Sequence, residues 1–271
     1  MSKPDLAKIA LETHGMIPTI AKMRPDAPLK GYLCLRDRYC PLSSRFFPNL
    51  STKVKVVNDD TYDAAIKVAE QRTGSPGTKH VCVLNLANAH TPGGGWLNGA
   101  LAQEEVLCYR STLSETLKPQ FYPMKPREAI YSPSVIIFRD SNYALWDTTQ
   151  SSSFPVVSVV SMAAIRGPKV QGTPMGAKFA DPHERELTKE KIRVILRVTV
   201  INGHRSVVLG ALGCGVFGNP REDMADCFVE VLQEQEFRGW FNDVVFAVLG
   251  KGPQGIANFK TFHAKLDGLT V

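Results

Sequence analysis

The chain has 271 residues, 44% hydrophobic and 21% charged, and its 32 Lys and Arg against 26 Asp and Glu give a formal net charge of +6. That length carries a full core and suits one α/β unit, while the lack of an 18-residue apolar run and the polar start MSKPDLAKIALETHGM argue against a membrane span or signal peptide. The expectation is an intracellular protein, cytoplasmic with the nucleus as the other compartment, whose dispersed positive charge attracts a polyanion without the basic blocks of a nucleic-acid binder.

In chain order, residues 5–23 are predicted to form a helix, followed by an irregular stretch over 24–49 containing Pro and Arg. A strand near 53–57 and a helix over 61–72 come next. The apolar run VCVLNLA at 81–87 reads as a buried strand, TPGGG at 91–95 as a tight turn, and Asn98 onward as the start of a helix carrying Gln103, Glu104 and Glu105. Strands follow at 134–139 and 155–162, with a long helix over 183–202. The run RSVVLGAL at 205–212 reads as another buried strand, leading through GCGVFGNP into an amphipathic stretch at 221–237. A last strand over 243–249 precedes a helix at 256–266. Residues 140–153 and 169–179 read as loops that in mobile form cover a substrate. Strands alternating with helices imply an α/β fold with a largely parallel, helix-covered sheet.

Two strand, glycine-loop and helix units therefore recur. Three consecutive glycines, Gly93, Gly94 and Gly95, remove every Cβ over one turn, so the chain can take positive φ and a ligand can approach backbone N–H groups. A helix N-terminus beyond such a loop favours an anion. Neither loop fits a Walker A motif or GxGxxG well, which disfavours a P-loop hydrolase or an NAD dehydrogenase. Glu104 and Glu105, being adjacent, diverge by about 100° on a helix and cannot share one role. One can hold a substrate hydroxyl while the other donates a proton.

Cys34, Cys40, Cys82, Cys108, Cys214 and Cys227 show no CxxC pair, so reduced and mostly buried thiols are expected. Cys214, among the N–H donors of the second loop, is an activated thiol or, as preferred, a small residue that fits a tight turn. The histidines show no HExxH or paired spacing, and neither metal nor cofactor is expected. His90, beside Asn88, is a substrate contact or, as preferred, a satisfied loop histidine.

The pattern GGG, seven residues, QEE, preceded by LNLANAHTP and followed by LCYRSTL, resembles the signature of the microbial-type poly(ADP-ribose) glycohydrolases. That family is similar in fold to the macrodomains, which bind ADP-ribose. The segment GALGCGVFGNP at 210–220 resembles the family's diphosphate loop, and the resemblance covers most of residues 54–262. It implies a macrodomain-like mixed, largely parallel sheet with helices on both faces. One domain over 1–271 is then expected, with residues 1–50 as an N-terminal helical extension and 51–271 as the ADP-ribose-binding catalytic core.

The resemblance further implies that Asn88 hydrogen-bonds the distal ribose and that Gly93, Gly94, Gly95 and Trp96 lie along the ribose and phosphate. Gln103 belongs to the same substrate-binding set. Gly213, Cys214, Gly215, Val216, Phe217 and Gly218 would cradle the diphosphate, with Phe217 over the distal ribose. Glu104 resembles the substrate-positioning glutamate and Glu105 the general acid. For the adenine the sequence offers only Asp59, Asp60 and Phe259. The implied activity is hydrolysis of ribose–ribose bonds in poly(ADP-ribose) by a monomer, with ADP-ribosylated proteins as partners and no membrane. A non-catalytic ADP-ribose reader and a hydrolase of mono-ADP-ribosyl adducts are the alternatives.

Overall fold

The computed structural model describes residues 1–35, 38–46, 48–72, 79–173 and 176–271. The first helix, α1 (Lys3–Met23), opens on a capping box in which Ser2 Oγ accepts the Asp5 amide and the Asp5 carboxylate accepts the Ser2 amide at 2.9 Å. Leu6, Ala10, Thr13, Ile17 and Ile20 recur at helical spacing and are all buried.

Seven strands form one sheet: β1 (Tyr32–Cys34), β2 (Lys55–Val57), β3 (Cys82–Leu86), β4 (Ala129–Ile136), β5 (Val156–Met162), β8 (Ser206–Leu209) and β9 (Asp243–Ala247), in the order β1-β4-β5-β3-β8-β9-β2. From β5 to β2 neighbouring strands are parallel, while β4 runs antiparallel to both β5 and β1. Two short strands, β6 (Val170–Gln171) and β7 (Lys178–Phe179), pair antiparallel outside the sheet. The helices α2 (Thr61–Gln71), α3 (Gln103–Arg110), α4 (Leu113–Thr116), α5 (Pro182–Ile201), α6 (Arg221–Leu232) and α7 (Gly252–Leu266) complete the order.

Alternate side chains of β3 face opposite ways and both faces are covered, which is why its sequence is apolar apart from Asn85. Cys82 and Leu84 join the core beneath α5, α6 and α7, whereas Val83 joins that beneath α1, α2 and α3. The sheet is thus covered on both faces, as the resemblance implies.

Several boundaries differ from expectation. The stretch 24–49 supplies the edge strand β1, so residues 1–50 contribute to the sheet and are more than a helical extension; residues 36, 37 and 47 lie outside the described residues. Strand β4 begins at Ala129 instead of 134, with a register shift between Ser132 and Val135. Helix α3 starts at Gln103, because the 3-10 turn Trp96–Asn98 ends on Gly99 at φ 74° and separates Asn98 from it. The amphipathic stretch predicted over 221–237 stops at Leu232.

Neither predicted loop is unanchored. In 140–153 the Trp146 amide donates to Phe138 O at 3.0 Å, and the 3-10 segment Thr148–Ser153 follows. The 169–179 segment contains the β6–β7 pair, with 174 and 175 outside the described residues.

Candidate active site

Parallel pairing of β3 with β5 and with β8 brings their C-terminal ends to one edge of the sheet. The loops following these three strands converge there, at the position where open α/β sheets bind ligands.

Gln103 joins the first loop to β3. Its Oε1 accepts the Leu86 amide at 2.9 Å, and its Nε2 donates to Leu84 O at 2.8 Å and Thr61 Oγ1 at 3.1 Å. Both ends of the amide are therefore taken inside the protein. Gln103 fixes the start of α3 against the strand, a different task from the substrate contact expected of it.

Glu104 is 3% exposed; its Oε2 accepts the Asn88 amide at 2.7 Å and its Oε1 accepts Asn85 Nδ2 at 3.2 Å. Burial pushes its carboxyl up to about 8, against the pull of the hydrogen bonds from Asn88 and Asn85 and with a further push from Glu105. Glu105, 8% exposed, accepts the Gly95 amide at 2.9 Å and the Ala102 amide at 3.1 Å. Ala102 provides no side-chain cap, so Glu105 satisfies an N–H at the helix start and ties the glycine loop to it.

Gly94, at φ +61°, lies directly over the pair: a Cβ there would run into Glu105 Oε1 and stand 3.2 Å from Glu104 Oε2. The loop can close over two carboxylates only with glycine at this position. Asn88 Oδ1 accepts the His90 amide at 2.8 Å and the Thr91 amide at 3.1 Å, an Asx turn that leaves Nδ2 as the side chain's donor. His90 is exposed. Trp96 is buried, with its ring under Gly93 and 6.2 Å from that of Tyr109, so it supports the loop from below instead of facing the cleft.

In the second loop Gly213 has φ +72°, and a Cβ there would come within 2.6 Å of Ala164 Cβ. Asn219 Nδ2 donates to Ile165 O at 2.6 Å and to Gly213 O at 3.2 Å, locking this loop to the one after β5. From α7, Asn258 Nδ2 and Gln254 Nε2 donate to Cys214 O at 3.1 and 3.0 Å. The Cys214 thiol is buried, donates to Leu212 O at 3.6 Å and is pushed up by burial, which argues against an activated thiol. Val216 is 85% exposed, and Phe217 is half-buried with the Arg166 guanidinium 6.0 Å from its ring centroid. Gly215 and Gly218 are exposed on the same lip, Gly218 at φ +70°.

The catalytic-domain model of the microbial-type poly(ADP-ribose) glycohydrolases matches residues 38–140. A search of curated proteins gives no match. Among solved structures, the fold is similar to a poly(ADP-ribose) glycohydrolase from Thermomonospora curvata, with TM-score 0.79, 27% identity, and coverage of 96% of this chain and 99% of that one. The complex of the Thermomonospora curvata protein with the inhibitor ADP-HPD gives TM-score 0.76 at 27% identity, over 96% of this chain and 98% of that one. A poly(ADP-ribose) glycohydrolase from Deinococcus radiodurans in complex with ADP-ribose is 30% identical, with TM-score 0.70, over 92% of this chain and 97% of that one. The chain belongs to the microbial-type poly(ADP-ribose) glycohydrolase family.

In this glycohydrolase fold several supporting residues escaped the sequence reading. Asn85 is fully buried on β3 and donates to Glu104 and, at 3.0 Å, to Ser161 Oγ. Its signal was a lone Asn in an otherwise apolar strand, because a buried polar group needs a partner. The Tyr122 hydroxyl is buried with no hydrogen-bond partner among the described residues, and burial followed by the Glu104 charge pushes it up. The Met124 amide holds that segment to Ala89 O at 2.8 Å.

Lys191, 3% exposed, donates to Pro126 O and, at 2.9 Å, to Ala163 O; burial and then Arg127 bring it down to about 8. The adenine candidates are otherwise engaged. Asp60 caps α2 and pairs with the buried Arg110, Asp59 pairs with Lys67 at 2.6 Å, and Phe259 packs against the core.

Proposed function

We propose that this chain hydrolyses ribose–ribose O-glycosidic bonds of poly(ADP-ribose) and releases ADP-ribose, with Glu105 as the general acid and then the general base. The observation that carries this reading is the pair of buried glutamates roofed by Gly94 and held by backbone amides beside a second glycine loop. Family membership and the ADP-ribose and ADP-HPD complexes of its relatives support it.

In the proposed reaction Glu105 protonates the leaving ribose oxygen as the glycosidic bond breaks. It then takes a proton from the water that adds to the anomeric carbon. Glu104, near its titration point at neutral pH, meets a ribose hydroxyl as donor or acceptor and fixes the sugar. Both carboxylates reach the same point beneath Gly94, which does not place them on opposite faces of one sugar ring as ordinary glycosidases require. That placement supports a single acid/base, with the substrate's diphosphate stabilising the oxocarbenium-like transition state. Asn88 Nδ2 is assigned to the distal ribose, and residues 213–218 to the diphosphate, with Phe217 over the ribose.

One observation favours a different assignment within the pair: Glu104 is the carboxyl raised to about 8 and so a proton store at neutral pH. Glu104→Gln and Glu105→Gln separate the two. With labelled poly(ADP-ribose), the Glu105→Gln chain is expected to bind ADP-ribose and to lose turnover by a factor of about 10²–10⁴, the usual contribution of a positioned acid/base. Full turnover in Glu105→Gln would overturn its assignment, and loss confined to Glu104→Gln would transfer the acid role. ADP-ribosylated protein serves as the second substrate, since release from a mono-modified acceptor with none from the polymer would move the activity to mono-ADP-ribosyl adducts.

A further inference from the structure

Residues 163–180, AAIRGPKVQGTPMGAKFA, contain three basic residues and no acidic one. Arg166, Lys169 and Lys178 are all exposed, and no salt bridge joins any of them to a carboxylate among the described residues. The adjoining helix is different: Arg185, Lys189, Arg193 and Arg197 of α5 each pair with Asp or Glu, at 2.7, 3.1, 2.7 and 2.6 Å. A solvated basic face alone explains little, since most such residues serve solubility. This one has a fixed place.

The segment leaves the C-terminal end of β5 and is bound to the second glycine loop at three points. These are the close approach of Ala164 to Gly213, the Asn219-to-Ile165 hydrogen bond at 2.6 Å, and Gly167 N donating to Phe217 O at 2.8 Å. The Arg166 guanidinium also stands over the Phe217 ring at 6.0 Å. At its far end the buried Phe179 donates its amide to the Asp223 carboxylate at 3.0 Å, which Arg185 also holds at 2.7 Å. The Ala180 amide closes back onto Lys169 O at 2.8 Å. The segment is therefore anchored at both ends, with Arg166 beside the lip at Phe217 and Lys169 and Lys178 exposed on the strand pair that continues from it.

We propose that the β6–β7 hairpin is an outer phosphate subsite, in which Arg166, Lys169 and Lys178 hold the diphosphate of the polymer unit adjoining the one bound in the cleft. The inference rests on the poly(ADP-ribose) reading above. A polymer with a diphosphate in every unit presents such a charge just beyond each bound unit, whereas free ADP-ribose has none to offer. Basic side chains that meet no carboxylate among the described residues, on an anchored segment, gain affinity for it by displacing counterions, and the gain declines with salt.

The test compares binding of long poly(ADP-ribose) and of monomeric ADP-ribose to the Glu105→Gln chain, with and without Arg166→Gln, Lys169→Gln and Lys178→Gln together, across a salt series. Wild-type turnover of the polymer is measured alongside. The triple substitution is expected to weaken polymer binding about tenfold at low salt and to flatten its salt dependence by about two units of slope. Monomer affinity should stay within about twofold. The double Lys169→Gln, Lys178→Gln chain, which leaves the Phe217 contact intact, should show most of the effect. Unchanged polymer affinity, or equal losses for polymer and monomer, would overturn the subsite. A wild-type chain that turns over no polymer would instead overturn the glycohydrolase reading and leave the binding comparison to decide the subsite.

Discussion

Glu104 ties the chemistry of the cleft to the stability of the protein. With its carboxyl raised from the usual 4.5 to about 8, the folded protein keeps a proton that the unfolded chain releases between those values. Its contribution is thus complete below 4.5, declines as pH rises through the window, and is gone above about 8. The decline is on the order of a few kcal/mol. Urea midpoints at pH 5 and pH 8 should show wild type losing more stability than Glu104→Gln, and parallel losses would remove the proton from this site. Gly94 is the second residue with a sharp consequence. Gly94→Ala forces a Cβ into Glu105 Oε1 at φ +61° and should cost about 1–3 kcal/mol in strain. Turnover of poly(ADP-ribose) should fall about a hundredfold through displacement of the acid; near-wild-type kcat with an unchanged melting temperature would contradict that account.

At the scale of elements, α3 positions the glutamates at its start and anchors itself at its end. Arg110, its last residue, is fully buried, pairs with Asp60 and, at 2.6 Å, with Asp63 of α2, and donates to Arg139 O at 3.2 Å. Removing one partner of a buried pair leaves the other charges uncompensated, so Arg110→Met should destabilise by about 3–5 kcal/mol. Chemical denaturation checks this, and a loss below about 1 kcal/mol would mean that water replaces the guanidinium. The sequence carried the site where its signal was local: the triple glycine, QEE and GCGVFG each lie within one strand-loop-helix unit. What it hid depends on distant partners. Strand β1 has only three residues and exists by pairing with β4, nearly a hundred positions away. Gln103 sits in the motif, yet its task is set by the backbone of β3. Asn85 and Tyr122 acquire meaning only once Glu104 is placed beside them.

For the whole molecule, the question is whether the first fifty residues are dispensable to the catalytic core, as a helical extension would be. Helix α1 buries Leu6, Ala10, Ile17 and Ile20, and Thr13 Oγ1 donates to Tyr109 O at 2.9 Å in α3. Its Glu12 meets the buried Arg139 at 2.9 Å, and the Lys3 carbonyl lies where a Cβ of Gly99 would fall. The helix therefore backs the same turn that carries Trp96, and through Tyr109 it supports Ala100 and the loop to Glu105. Burial of Leu6, Ile17 and Ile20 at about 1.5–3 kcal/mol each approaches the total stability of about 5–15 kcal/mol typical of a domain. Deletion of residues 1–24 should yield protein that is largely unfolded or melts far below wild type, and any folded fraction should bind ADP-ribose more weakly because the loop over the glutamates has lost its backing. Calorimetry of the truncated chain reads both quantities. A cooperative transition at the wild-type temperature with unchanged ADP-ribose affinity would restore the description of α1 as an appendage.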